Sequence, residues 1–160
     1  MTDRKVELLV PAGSLEVLKV AVDYGADAVY IGGQAYGLRA KADNFSIDEM
    51  KEAAAYAHAK NAKVYVTANI FAHNYDIDGM KTYFEQLKDT GVDAVLVSDP
   101  GIFTLAKETM PDMELHISTQ ANNTNYLTYN FWYKLGAKRV VTARELSLAE
   151  IRQIRDHIPD

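Results

Sequence analysis

Cysteine is absent from all 160 residues. That excludes disulfides, a thiol nucleophile, and any zinc or iron–sulfur centre ligated by cysteines of this chain. Long apolar runs are missing too. No stretch nears the about 20 apolar residues of a membrane-spanning helix. Met1-Thr-Asp-Arg-Lys5 leads straight into a short strand-like segment, with no signal-type apolar region. A cytoplasmic protein without membrane contact is expected. Basic excess is the third absence: 22 Asp and Glu outnumber 17 Lys and Arg, the net charge is −5, and no basic stripe forms. Charge alone therefore gives no nucleic-acid surface. What remains, 48% hydrophobic and 24% charged residues, is globular composition at a length that suits one domain with a real core.

The stretch Glu114-Leu-His-Ile-Ser-Thr-Gln-Ala-Asn-Asn-Thr124 sets the pattern. Leu115 and Ile117 point one way and Glu114, His116 and Ser118 the other, as in a strand with one polar face. Hydroxyls and amides follow, and a helical pattern resumes near Tyr126. Six such strands are expected: Val6–Val10, Ala28–Ile31, Lys63–Ala68, Ala94–Ser98, Glu114–Ser118 and Arg139–Thr142. Most are rich in Val, Ile and Leu, as buried parallel strands are. Helices alternate with them. Ser46-Ile-Asp-Glu49 and Ser147-Leu-Ala-Glu150 are capping boxes, Asp99-Pro100 is a cap followed by a first-turn proline, and Ser14 caps the first helix. Met50, Ala53, Ala54 and Ala57, then Met80, Tyr83, Phe84 and Leu87, recur at helical spacing and need a sheet to cover. Gly25, Gly91 and Gly136 each close a helix just before a strand, and Asn61 takes that place once.

Strand–helix alternation of this kind predicts a parallel α/β fold in a single domain, residues 1–160. A doubly wound sheet would carry a glycine-rich turn after its first strand, but Pro11-Ala-Gly-Ser14 offers one glycine. A complete (β/α)8 barrel needs about 200–250 residues. The favoured reading is a TIM-barrel-like (β/α) repeat with about six of eight units, an incomplete barrel whose open first and sixth edges invite cover or association into a homo-oligomer.

In such folds ligands sit beyond the carboxyl ends of the strands. Collected there are Pro11, Gly13 and Ser14; Gly32, Gly33, Gln34, Tyr36 to Leu38 and Arg39; Asn69, His73 and Asn74; Ser98 and Asp99; Ser118 to Gln120, Asn122 and Asn123; and Arg144 with Glu145. The substrate-binding candidates are Arg39, Asn69, Gln120, Asn122, Arg144 and Glu145; the catalytic candidates are His73 and His116. Arginines at this rim suit carboxylate or phosphate, although Arg144 beside Glu145 also suits a rim ion pair. His116 reads as a base, a ligand, or a hydrogen-bonded interior ring. A metal held by His73, Asp99 and His116 lacks any supporting local spacing, and none is expected. A triad built on Ser98 or Ser118 lacks a nucleophile elbow. Gly32-Gly33 reads first as a turn, while His58 and His157 read as solvated surface. Further inside, Glu7, Tyr65, Thr67 and Glu114 face the barrel axis, where carboxylates need a partner such as Arg139.

Several segments carry a resemblance: Glu7-Leu-Leu-Val-Pro-Ala-Gly13, Asp23 to Gly33, Gly37-Leu-Arg-Ala40, Asn44-Phe-Ser46, Val66 to Asn74, Val97-Ser-Asp-Pro-Gly101, His116 to Asn122, and Ala143-Arg-Glu-Leu-Ser147. Together and in order they resemble the N-terminal portion of the peptidase U32 family of collagenase-like proteins. The resemblance implies a TIM-barrel-like N-terminal domain of a longer bacterial protein. It carries a peptidase (collagenase-like protease) label, and implies for other members hydroxylation of a tRNA wobble uridine or an rRNA cytidine, with prephenate as a small anionic partner. It also implies an iron–sulfur cluster on cysteines of the longer members, none of which this chain has. Peptide and RNA both stay open as substrates of the full-length protein. On mechanism, RNA hydroxylation is expected. A non-catalytic module that binds a small anion or RNA is the alternative.

Overall fold

The computed structural model describes residues 6–38 and 44–159. Six parallel strands lie in sequence order, β1 (Leu9–Pro11), β2 (Ala28–Gly32), β3 (Lys63–Thr67), β4 (Ala94–Val97), β5 (Glu114–Ile117) and β6 (Arg139–Val140). Between and after them run α1 (Leu15–Asp23), α2 (Ile47–His58), α3 (Ile77–Leu87), α4 (Pro100–Thr109), α5 (Tyr126–Leu135) and α6 (Leu148–His157). Sequential order with right-handed crossovers puts the helices on one face, so the sheet curls as a half-barrel and is not doubly wound. This is the incomplete TIM-barrel-like architecture expected.

Alternation along the strands sorts the two faces. Val29, Ile31, Val64, Val66, Val95, Val97, Leu115 and Ile117 point outward into one apolar core with the buried stripes of the helices. Met50, Ala53, Ala54 and Ala57 of α2, and Met80, Tyr83, Phe84 and Leu87 of α3, are the buried sets. Each fully buried Met80, Phe84 or Leu87 contributes about 1.5–3 kcal/mol. A helix cap contributes about 1 kcal/mol, so burial dominates. Caps fix where helices begin: Ser14 accepts from the Val17 N–H, and Asp99 accepts from that of Ile102. Ser46–Glu49 and Ser147–Glu150 form complete capping boxes. Gly25, Gly91 and Gly136 hold φ of 96°, 80° and 92°, with Asn61 at 59°.

Both edge strands differ from expectation. β1 begins at Leu9, three residues later than Val6. Leu8 is tied to the start of β2 through Asp27, whose carboxylate accepts from the Leu8 N–H at 2.8 Å. Pro11, with no N–H to donate, closes an edge strand where that loss is tolerated. β6 spans only Arg139–Val140, because its one neighbour, β5, stops at Ile117 and turns into the short helix Thr119–Ala121. Two histidines expected in solvent are engaged: His58 pairs with Asp93 at 2.9 Å, and His157 stacks on Tyr126. Among the described residues no helix is long and apolar enough to cross a membrane.

Candidate functional site

Where the strands end, their inner face opens into a cavity of about 450 Å³. Every part of the sheet supplies a wall: Pro11 closing β1 and Gly13 after it, Gly32 closing β2 with Leu38 and Asn44 after it, Thr67 closing β3 and Asn69 after it, Leu96 from β4, Ser118 to Gln120 after β5, and Val141 with Arg144 after β6. Its deeper side is apolar, with Leu9, Tyr30, Leu96 and Val141, and its mouth is polar. Among the described lining residues Arg144 is the one charge, and there is no carboxylate. The chain as a whole carries −5, so the described lining is opposite in sign to the molecule. Arg144 is exposed. The described residues place no carboxylate against it, and the rim ion pair with Glu145 does not form.

The amides are held in place. Asn69 donates through Nδ2 to Ser118 Oγ at 3.0 Å, and its Oδ1 accepts from the Leu38 N–H at 3.5 Å. Ser118 Oγ also accepts from the Gln120 N–H at 3.4 Å, which sets the turn that brings Gln120 to the wall. Three strands thereby share one polar cluster whose orientation is fixed before any ligand arrives.

One layer below lies a second polar group. Arg139 of β6 donates to both Glu7 oxygens, at 2.6 and 3.1 Å, and the Tyr65 hydroxyl donates to Glu7 Oε2 at 2.9 Å. Arg139 holds the Glu7 carboxyl below its usual range. Burial, reinforced by the bond to Glu7, pushes the Tyr65 hydroxyl up to about 12. His116 meets Tyr65 edge-on at 4.9 Å, and its Nε2 is 3.5 Å from Glu114 Oε2 with no hydrogen-bond partner. Burial first, and the nearby Arg139 charge second, hold the imidazole below its ordinary value and so keep it neutral near pH 7.

Of the site residues read from sequence, Asn69, Gln120 and Arg144 line the cavity, and His116 sits on the same inner face beneath it. His73 stands on the exposed β3–α3 segment. Asn122, left-handed at φ 53°, and Glu145 are exposed and outside the lining. Arg39 falls outside the described residues. Asn123 is fully buried, its Oδ1 accepting from Trp132 Nε1 at 3.0 Å and its Nδ2 donating to the Ser118 carbonyl, so it braces the wall from behind. Tyr30 and Asn44 were not singled out, although Tyr30 follows from the period-two pattern of β2. Among the described residues no three His, Asp or Glu side chains gather as a metal-ligand set. Neither Ser98 nor Ser118 is hydrogen-bonded to an imidazole.

The model of peptidase family U32 matches residues 13–160. This chain belongs to that family. Within it, the chain is 49% identical over 155 residues to the tRNA hydroxylation protein P1 of Bacillus subtilis, covering 97% of this chain and 37% of that protein. It is 43% identical over 159 residues to the tRNA hydroxylation protein P of Escherichia coli, covering 98% and 34%. The chain thus spans about a third of the length of these curated relatives. Among solved structures, a U32 peptidase superposes with a TM-score of 0.79 at 16% identity, over 99% of this chain and 68% of that one, a likeness of fold. The Arg144 cavity is thus carried by a U32-family half-barrel.

Proposed function

We propose that this half-barrel serves an RNA-hydroxylating U32 protein, and that its cavity holds a small carboxylated anion of the prephenate type. Arg144, the one charge among the described lining residues, none of which is a carboxylate, carries this reading. A guanidinium binds carboxylate through two parallel hydrogen bonds. The fixed Asn69–Ser118 pair and Gln120 supply neutral donors and acceptors beside it. The apolar floor of Leu9, Tyr30, Leu96 and Val141 suits a carbon ring. The two relatives named for tRNA hydroxylation support the RNA side, since the matched span, 97% and 98% of this chain, takes in nearly all of it. None of the 160 residues is a cysteine that could ligate the iron–sulfur cluster the resemblance implies for longer members; the role read for the cavity residues is to bind and orient the anion. A serine-triad route to peptide hydrolysis through Ser98 or Ser118 is disfavoured, because neither hydroxyl is hydrogen-bonded to an imidazole.

Calorimetry with prephenate tests the anion site. The wild-type protein releases heat on binding, and Arg144→Ala weakens the affinity by roughly 10- to 100-fold, the worth of a charge-assisted bond. Arg144→Lys falls between, because an ammonium keeps the charge and loses the fork. No heat with wild type, or equal heat from Arg144→Ala, refutes the site.

A further inference from the structure

Three exposed aromatic rings follow the cavity-wall residue Asn69 within six positions of the chain. Phe71 is 66% and Tyr75 81% exposed. His73, also exposed, lies parallel to Tyr75, with ring centroids 5.3 Å apart and planes 5° from parallel. Rings left in solvent gain nothing from folding, and clustered exposed apolar surface marks a contact site. The segment that bears them is pinned. The Ile70 N–H donates to the Tyr36 carbonyl at 3.2 Å, and Ser98 Oγ donates to the Asn69 carbonyl at 3.4 Å. The His73 N–H donates to Asp76 Oδ2 at 2.8 Å. Asn69, at the start of the same segment, is part of the cavity wall.

We propose that His73 and Tyr75, together with Phe71 two residues before His73 in the chain, form a stacking platform for an unpaired base of the RNA. A neighbouring nucleotide then faces the cavity mouth. This assignment rests on the RNA-modification reading given above. Loop nucleotides are commonly held by stacking on aromatic faces, which accept any base because every base has a π-face. Local charge favours a base over a phosphate here: Asp76 and Asp78 stand at this end of α3 and repel phosphate oxygens. The platform therefore adds affinity that depends little on salt.

The test uses the protein as its gene encodes it, with tRNA as the probe and binding followed across a salt series. Phe71→Ala and Tyr75→Ala each weaken binding by roughly 5- to 150-fold, the range for losing one base–aromatic stack. The slope of log affinity against log salt stays that of wild type, because no phosphate contact is lost. Tyr75→Trp retains binding, which a purely structural role for the hydroxyl would not allow. Unchanged RNA affinity in both alanine variants overturns the platform and leaves the RNA reading standing. A flattened salt slope overturns it in favour of a phosphate contact. Variants that keep tRNA but lose a protein partner overturn it in favour of a protein interface. A wild-type protein that neither binds nor modifies tRNA removes the RNA reading and the platform together.

Discussion

Arg139 decides the fate of Glu7. The pair joins the strand at one edge of the sheet to the segment entering the other, with side chains 37% and 31% exposed. Such a half-exposed bidentate pair lies between the surface and buried cases, so Glu7→Gln costs about 1–2 kcal/mol at neutral pH, or about 2–8 °C in Tm for a chain this long. Its pH dependence has a definite sign. Arg139 lowers the Glu7 pKa from the ordinary 4.5, so the unfolded chain takes up that proton first. The stabilisation is complete above pH 4.5 and is lost as pH falls through the lower folded value. Thermal melts of wild type and Glu7→Gln therefore draw together as pH falls below 4.5; a gap that does not narrow contradicts the pairing. Glu7, Glu114 and His116 were legible as inward-facing from alternation alone, and Arg139 as one possible partner. That the Tyr65 ring would meet His116 edge-on was not, because Tyr65 lies on β3 and the placing of strands beside one another is a tertiary property.

Helix faces and caps were the most legible elements, since both are written in local spacing. Less legible was why β2 ends in two glycines. A turn was expected, but neither Gly32 nor Gly33 has a left-handed φ. The constraint is space: a Cβ on Gly33 would come within 2.1 Å of the Tyr83 hydroxyl and 3.0 Å of Met50 Cε. Tyr83, on α3, is buried with its hydroxyl unpartnered, and burial raises its pKa. Contacts between elements distant in sequence leave no local trace, so this one was hidden. Gly33→Ala is expected to cost about 1–3 kcal/mol by overpacking. Tyr83→Phe alone is neutral or stabilising, because it removes an unsatisfied buried group. In the double variant Tyr83→Phe recovers much of the loss, and denaturant melts of the four proteins measure that coupling. Strict additivity would show that the hydroxyl and the glycine do not meet.

Across the whole molecule, six β/α units in order were readable from strand composition and helix punctuation, and the sheet follows that order. The side-chain clasp of Glu7 and Arg139 across the curl was only hinted at, and the sheet itself stays open, with β1 and β6 each bonded on one side. Val6 and Leu8, just before β1, and Val17 and Val20, on the helix that follows it, are exposed. Unpaired strand edges and apolar surface of this kind favour association. Sedimentation velocity of the 160-residue chain should show concentration-dependent oligomers, and a single monomer boundary across the range contradicts it. The cavity was legible in part: Asn69, Gln120 and Arg144 come from loops at the strand ends, where the fold gathers them, whereas Asn122 and Glu145 share those loops but turn outward. The most direct measurement is nucleoside mass spectrometry of tRNA from cells whose sole source of tRNA hydroxylation is this gene. Wild type restores the hydroxylated uridine and Arg144→Ala lowers it by about tenfold or more, in line with one lost charge-assisted bond. No restoration by wild type, or full restoration by Arg144→Ala, contradicts the account.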